Sequence, residues 1–374
     1  MAAVPHAVRT YPASASSAML PLTPANGYNA TVMYCGGTNI SDDQWLQPGL
    51  NLLQFASDNS CIKISPATSL EWQEEDYLPE GRVMGNAILL PDGTVLVING
   101  AQSGVAGYAD ATQPWNLEDS LATDPAFTPV IFDPKRPAGQ RWSRNGLQAS
   151  TIPRMYHSSA TLLPDGSVFI AGSNPHADFS PNTTYPTTYA VEIFYPLYYN
   201  ERRPQPVGIP STITYGGTGF DLQLSSDDLS GDAADNVQKV QVVLVRTGFS
   251  THALNFGMRN VELDYSYQLT SDGGATLHVA QAPPNPAVLP PGPAWFFVVV
   301  NGVPSVGVQV MVGSGQLGAQ TMSAATVLPP SSNTTSAPPS GSSSAALPGR
   351  ASPTLTALIA SWIVVLSGLG LSLA

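Results

Sequence analysis

Charge is scarce in this sequence. Asp, Glu, Lys and Arg make up 11% of it, well under the roughly 25% of an average soluble domain. Basic residues are scarcer still: 14 Lys and Arg against 26 Asp and Glu give 14 − 26 = −12. No cluster of them exists to neutralise phosphates, which excludes nucleic-acid binding. The opening Met1-Ala2-Ala3-Val4-Pro5-His6 has neither a basic n-region nor a continuous apolar h-region and does not read as a signal peptide. Only two cysteines occur, Cys35 and Cys61; an even count fits one disulfide in an exported chain, although sequence does not prove that they meet.

Apolar residues, glycine and proline are plentiful. The hydrophobic fraction is 43%, with 33 Gly and 35 Pro, and Val, Ile, Leu, Tyr and Phe recur in short runs. Disorder throughout is excluded, and a turn-rich, all-β protein is indicated. At 374 residues the chain has room for two domains and a tail.

The first part repeats one theme. Val83 to Gly100 reads as strand, turn and strand around Leu90-Pro91-Asp92-Gly93-Thr94-Val95, and Tyr156 to Gly172 repeats it around Leu163-Pro164-Asp165-Gly166-Ser167-Val168. Ser17 to Gly37 is a looser copy. Such hairpins mark propeller blades, with a sandwich of coincidentally similar hairpins as the competing reading. Residues 10 to about 195 hold about three blades and part of a fourth, fewer than a closed ring needs. After Arg202-Arg203-Pro204 come six or seven short strands: Thr212 to Tyr215, Gly219 to Leu224, Val237 to Val245, Tyr265 to Leu269, Thr276 to Val279 and Trp295 to Asn301. They suit an immunoglobulin-like sandwich. The expected organisation is a partial propeller over 1–198 and a sandwich over 199–315. A Ser/Pro/Thr-rich linker over 316–353 and a hydrophobic tail over 354–374 follow.

That tail is uncharged, and small residues at Ser342-Ser343-Ser344-Ala345 precede it. The pattern fits a GPI-attachment signal, with a membrane-anchoring helix as the alternative. Sequons at Asn29, Asn39, Asn182 and Asn333 agree with a glycosylated protein of the cell surface. An exported tail behind a leaderless start, like a ring short of blades, is expected if coding sequence is missing ahead of Met1.

Ile152-Pro153-Arg154-Met155-Tyr156-His157-Ser158 sets a phenol beside an imidazole at the mouth of a predicted strand, and Gly248-Phe249-Ser250-Thr251-His252-Ala253 supplies a second imidazole from a loop. Nitrogen and oxygen donors of this kind suit Cu(II). Alone the pair is weak, since most Tyr-His dipeptides bind nothing. Of the other histidines, His6 is assigned to a disordered start, His176 to a solvated loop and His278 to the surface of a strand.

Taken together, Ala18-Met19-Leu20-Pro21-Leu22, Cys35-Gly36-Gly37 with Cys61, the Tyr156-His157 segment, the His252 segment and Pro290-Pro291-Gly292-Pro293-Ala294 resemble the copper radical oxidases. Among these the likeness is to fungal glyoxal oxidase more than to galactose oxidase, and it runs in order from residue 10 to about 313. The resemblance implies a Kelch-type propeller followed by an immunoglobulin-like domain. It gives Tyr156 as the axial, proton-accepting ligand, His157 and His252 as imidazole ligands of copper, and Cys35 with Cys61 as a structural pair. The reaction implied is oxidation of a small aldehyde (as its hydrate) or a primary alcohol, with O2 reduced to H2O2. The family's radical tyrosine, cross-linked to a cysteine, has no counterpart here, and Tyr11 is a poor candidate for it. The chain as written is therefore expected to be inactive. The alternative is a non-catalytic cell-surface binding protein, or a lectin-like module, keeping a vestigial copper site. Glyoxal- or methylglyoxal-type aldehydes are favoured over sugar alcohols, and the oligomeric state is not legible.

Overall fold

The computed structural model describes residues 3–45, 47–109, 118–252 and 254–336. The expected attachment signal and hydrophobic tail lie outside the described residues, as does the linker from residue 337 on. Among the described residues no helix is long and apolar enough to cross a membrane.

The chain is all-β, as its composition implies. Its first part builds three blade-like sheets. Strands β1 (Ser16–Met19), β2 (Val32–Cys35), β3 (Cys61–Ile64) and β4 (Gln73–Glu75) pair in that order. The next strands are β5 (Asn86–Leu89), β6 (Val95–Ile98), β7 (Ala101–Tyr108), β8 (Ser120–Pro125), β9 (Val130–Phe132) and β10 (Trp142–Ser143). Of these β10-β9-β6-β5 form the second sheet, and β7 pairs with β8 as a separate hairpin. Strands β11 (Ser159–Leu162), β12 (Val168–Ala171) and β13 (Glu192–Phe194) form the third.

The Leu-Pro-Asp-Gly repeat has a local cause. Asp92 Oδ1 accepts from Thr94 N at 3.0 Å and Thr94 Oγ1 at 2.7 Å, while Leu90 N donates to Thr94 O. Asp165 makes the same bonds to Ser167 at 3.0 and 2.6 Å, and Leu163 N donates to Ser167 O. An aspartate that satisfies the amide two residues on closes the turn and fixes the register of the flanking strands. In the first blade Cys35 stands opposite Cys61 across β2 and β3, and the two are joined in a disulfide. Closing that loop of 26 residues stabilises the fold by about 3–4 kcal/mol.

A second repeat was not read from the sequence. Arg9, Arg82 and Arg154 are each buried where the chain enters a blade. Each donates to a main-chain oxygen (Gly36, Asn99 and Gly172 respectively) and pairs with a carboxylate, Asp58, Glu80 or Glu192. Burial pulls the Arg82 guanidinium down to about 10, with Glu80 opposing. A guanidinium buried this deeply is tolerable only when most of its donors are used; Nη1 and Nη2 of Arg82 bond Asn99 O, Glu80 and Thr128 O, and Nε alone has no partner.

The second part is a two-sheet sandwich. A six-stranded sheet runs Thr212–Ile213, Val308–Val312, Gly292–Val300, Gln241–Arg246, Arg259–Leu263, with Val303–Pro304 paired to its third strand. Phe220–Leu224, Ala275–Val279, Tyr265–Thr270 and Ser332–Ser336 form the other. Successive strand residues face opposite ways. Thus Val243, Val245, Phe297 and Val299 share a core with Ile88, Leu96 and Phe132 of the blades, whereas Val242, Leu244, Phe296 and Val298 fill the sandwich. A sheet covered on both faces explains the unbroken apolar runs Val242 to Val245 and Phe296 to Val300. Each of those buried side chains contributes about 1.5–3 kcal/mol, an upper figure because the unfolded chain already hides some surface.

One expected strand is shorter than its apolar pattern. Val237–Lys239 is a 3-10 turn, following a short helix at Ala233–Asn236, and the strand begins at Gln241. Asp232 caps the helix by accepting from Ala234 N and Asp235 N, both at 3.1 Å. That cap outweighs the strand preference of Val237.

Candidate metal centre

Two turns carry the three candidate donors. Tyr156 and His157 occupy the turn ahead of β11, closed by Ser158 N donating to Met155 O at 3.2 Å and by Asn174 N donating to Tyr156 O at 2.8 Å. His157 has φ 63, a left-handed conformation that a residue with a Cβ adopts only under constraint. Part of the constraint is Gly172. A Cβ there would lie 2.5 Å from the His157 carbonyl oxygen, so only glycine lets β12 pass. His252 opens the turn of a hairpin whose strands, Phe249–Thr251 and Leu254–Phe256, pair Thr251 with Leu254. It too is left-handed, at φ 52, as tight hairpin turns require. A Cβ on Gly248 would lie 2.0 Å from Phe256 O, so the base of the hairpin also needs glycine.

The hairpin leaves the sandwich and rests on the blades. Asn255 Nδ2 donates to Ala87 O at 2.9 Å, and Ser14 Oγ donates to His252 O at 3.3 Å. The rings form one aromatic cluster. Tyr156 and His157 have centroids 4.0 Å apart, and Tyr108 lies 6.4 Å from Tyr156 and 6.3 Å from His157. Tyr11 lies 6.1 Å from Tyr156 and 5.1 Å from His252, edge-on to the imidazole. Tyr11 is the side chain that joins the two turns.

The imidazoles are arranged to present one nitrogen each. His157 Nδ1 is 2.8 Å from the Asn174 carbonyl, which only accepts, so Nδ1 carries the proton and Nε2 keeps its lone pair. His252 Nδ1 is 2.8 Å from Thr251 Oγ1, which likewise leaves Nε2 free of that contact. Occupied Nδ1 atoms beside free Nε2 atoms are the usual arrangement of metal-binding histidines. Among the described residues no three His, Cys, Asp or Glu gather to hold a metal. A centre here therefore depends on a phenol for its third donor. Two nitrogens and a phenol oxygen fit copper.

Tyr156 is 5% exposed. Burial pushes its phenol up to about 12, and the neighbouring hydroxyls of Tyr11 and Tyr108 add to the shift. The fold thus favours the protonated phenol over the anion. That contribution to stability is whole below pH 10, where unfolded tyrosine is still protonated, and is lost as pH rises from about 10 through about 12. In a spectrophotometric titration of the metal-free protein, Tyr156→Phe is expected to remove a late-titrating tyrosine. If it removes an ordinary one instead, the buried placement of this phenol is wrong.

The remaining assignments divide. His176 is not solvated: it is 1% exposed, with Nε2 2.7 Å from Tyr185 O and 3.0 Å from Thr183 Oγ1. The loop 174–188 folds back over it, which no local pattern announced. His6 is placed by Glu74 at 2.7 Å and His278 by Asp221 at 2.7 Å, both away from the cluster. Asn29, Asn39, Asn182 and Asn333 are all exposed. Tyr108, which sequence reasoning passed over, had as its only signal a position at the end of β7.

Residues 1–198 match the family model described as glyoxal oxidase N-terminus, and 203–312 match that of the galactose oxidase-like early set domain. The aldehyde oxidase GLOX1 of Arabidopsis thaliana is 35% identical over 323 residues, covering 83% of this chain and 49% of that protein. The aldehyde oxidase GLOX of Vitis pseudoreticulata is 35% identical over 303 residues, covering 80% and 53%. The chain thus spans about half the length of these curated relatives. A fungal alcohol oxidase solved in complex with copper shares the fold at TM-score 0.55 and 20% identity, over 80% of this chain and 54% of that one. The chain belongs to the copper radical oxidase family, on its glyoxal oxidase-like branch.

Proposed function

We propose that His157, His252 and Tyr156 hold one copper ion. Around it we place a site of the kind that converts the hydrate of a small aldehyde to a carboxylic acid while O2 takes up the two hydrogens as H2O2. The observation that carries this reading is the pair of imidazoles, each with Nδ1 engaged and Nε2 spare, beside a buried phenol. Copper bound there would supply Lewis acidity and one-electron chemistry. Within this reading Tyr156 Oη is the proton-accepting atom. Pushed up to about 12 without a cation, that phenol is no base at neutral pH on its own. The proposed division sets the propeller part at 1–198 and the immunoglobulin-like part at 199–315, whose second sheet is extended by Ser332–Ser336 from the stretch expected to be linker.

A second reading concerns this polypeptide taken by itself. Its only two cysteines are bonded to each other, so neither has a thiol to form a thioether with a tyrosine. The reading that follows is a binding protein with a copper site and no turnover. One experiment tests both: load the purified 374-residue chain with Cu2+ and follow peroxide with glyoxal or methylglyoxal in a peroxidase-coupled assay. One copper per chain and no aldehyde-dependent peroxide is the expected result. Peroxide formation would overturn the inactivity, and absence of copper uptake would overturn the site.

A further inference from the structure

We propose that His176 is a positioning residue of this centre. It closes the loop 174–188, which presents the Asn174 carbonyl to His157 and packs the Tyr185 ring against the apolar cluster around Tyr156. The inference rests on the copper reading above and adds to it a residue that acts through others.

The imidazole is costly where it stands. His176 is 1% exposed. Its Nε2 lies 2.7 Å from the Tyr185 carbonyl, which only accepts, so Nε2 carries a proton. Thr183 Oγ1, 3.0 Å from the same nitrogen, donates its own hydrogen to Ser180 O at 3.4 Å. Nδ1 is buried without a hydrogen-bond partner, and the Asp119 carboxylate stands 3.7 Å from it. A space that needed only filling would take leucine without that cost. What the imidazole provides is the bond from Nε2, which spans nine residues of chain.

That bond ties together two arms of the loop, and both arms serve the donors. On the first arm Asn174 N donates to Tyr156 O at 2.8 Å, and Asn174 O accepts from His157 Nδ1 at 2.8 Å. One residue thus holds the main chain of one donor and the ring of the next. Asn174 is gripped in turn from the second arm. Thr187 Oγ1 donates to its Oδ1 at 2.8 Å, and Thr188 N donates to Ser173 O at 3.0 Å. Tyr185, also on that arm, lays its ring on the cluster that contains Met84, Ala122, Met155 and Tyr156. Its hydroxyl is 2.9 Å from Thr123 Oγ1 on β8. Residues 174–188 contain no helix or strand, so bonds of this kind, and not a ladder, fix the loop. His176 is the buried side chain that joins its arms.

The test compares His176→Leu, which fills the space and removes the donor, with His176→Gln, whose amide reaches the Nε2 position. The first readout needs no metal. In the copper-free protein with nitrogen-labelled histidine, wild type and His176→Gln are expected to show a protected His157 Nδ1 proton in a single tautomer. In His176→Leu that proton is expected to exchange faster and both tautomers to appear. The second readout is Cu2+ affinity, expected to fall about tenfold in His176→Leu, the scale for disturbing the outer partner of a metal-binding histidine, and to stay within about twofold in His176→Gln. A merely structural histidine would lower the melting temperature and leave the His157 proton unchanged. If His176→Leu does not fold, His176→Asn, whose amide matches Nδ1 instead, takes its place with the same expectations. An unchanged His157 proton in that variant overturns the positioning role, as does an equal loss in His176→Gln, and both leave the copper reading intact. If wild type takes up no Cu2+, the copper reading fails, and the His157 proton alone then supports or overturns the role of His176.

Discussion

Replacement of His252 by alanine is expected to lower affinity for Cu2+ by about 100-fold or more. Disturbing only the outer partner of a metal-binding histidine costs about 10–100-fold, so removing the ligand itself should cost at least the upper end. The loss should appear without loss of stability, since His252 is exposed at a hairpin tip and fills no core. Competition against a chromogenic chelator measures the first quantity and thermal melting the second. His157→Ala is expected to behave alike. His278→Ala, on a sandwich strand beside Asp221, is the control with no effect. Wild-type affinity in His252→Ala would remove the hairpin from the centre.

Arg154→Ala is expected to destabilise the protein by about 3–5 kcal/mol, the usual cost of breaking a buried pair from one side. The arginine is 3% exposed. It meets Glu192 Oε2 through Nε at 2.9 Å and Nη2 at 2.7 Å, and Nη1 donates to Gly172 O and to Ala190 O. Lysine cannot reproduce that planar fork, so Arg154→Lys should recover little. Arg202 makes the contrast: 49% exposed beside Asp228, its loss should cost under about 1 kcal/mol. Urea denaturation read by intrinsic fluorescence ranks the three. Because Gly172 also lies against His157, Arg154→Ala should weaken copper binding as well. Equal stabilities for Arg154→Ala and Arg202→Ala would refute the structural role.

What could be read from the sequence were features with a local cause. Asp92 and Asp165 close their own turns, so Pro-Asp-Gly announces the hairpin wherever it falls. The unbroken run from Val242 to Val245 announces a strand covered on both faces. Tyr156 with His157 was visible as a dipeptide, and His252 as a polar residue between strand-like runs. What stayed hidden depends on partners distant in the chain. The burial of His176 is decided by Tyr185 and Thr183 in a loop without periodicity. Arg9 and Arg154 share a tyrosine two residues on, which Arg82 lacks, and the common role of all three is visible only through the carbonyls they reach. Tyr11 has no sequence feature that marks it as part of the centre. Its contacts with Tyr156 and His252 cross most of the chain, and no spacing rule anticipates them.

The six-stranded sheet belongs to two interiors at once, and this sets how the molecule comes apart. Val243 and Phe297 are buried against the blades while their neighbours Leu244 and Phe296 are buried within the sandwich. Loosening either interior bares one face of the same strands. Independent melting of the two parts would leave that face in water, at a cost of several side chains' burial. The blades and the sandwich therefore form one cooperative unit, and the donor turns gathered from both are lost together when it opens.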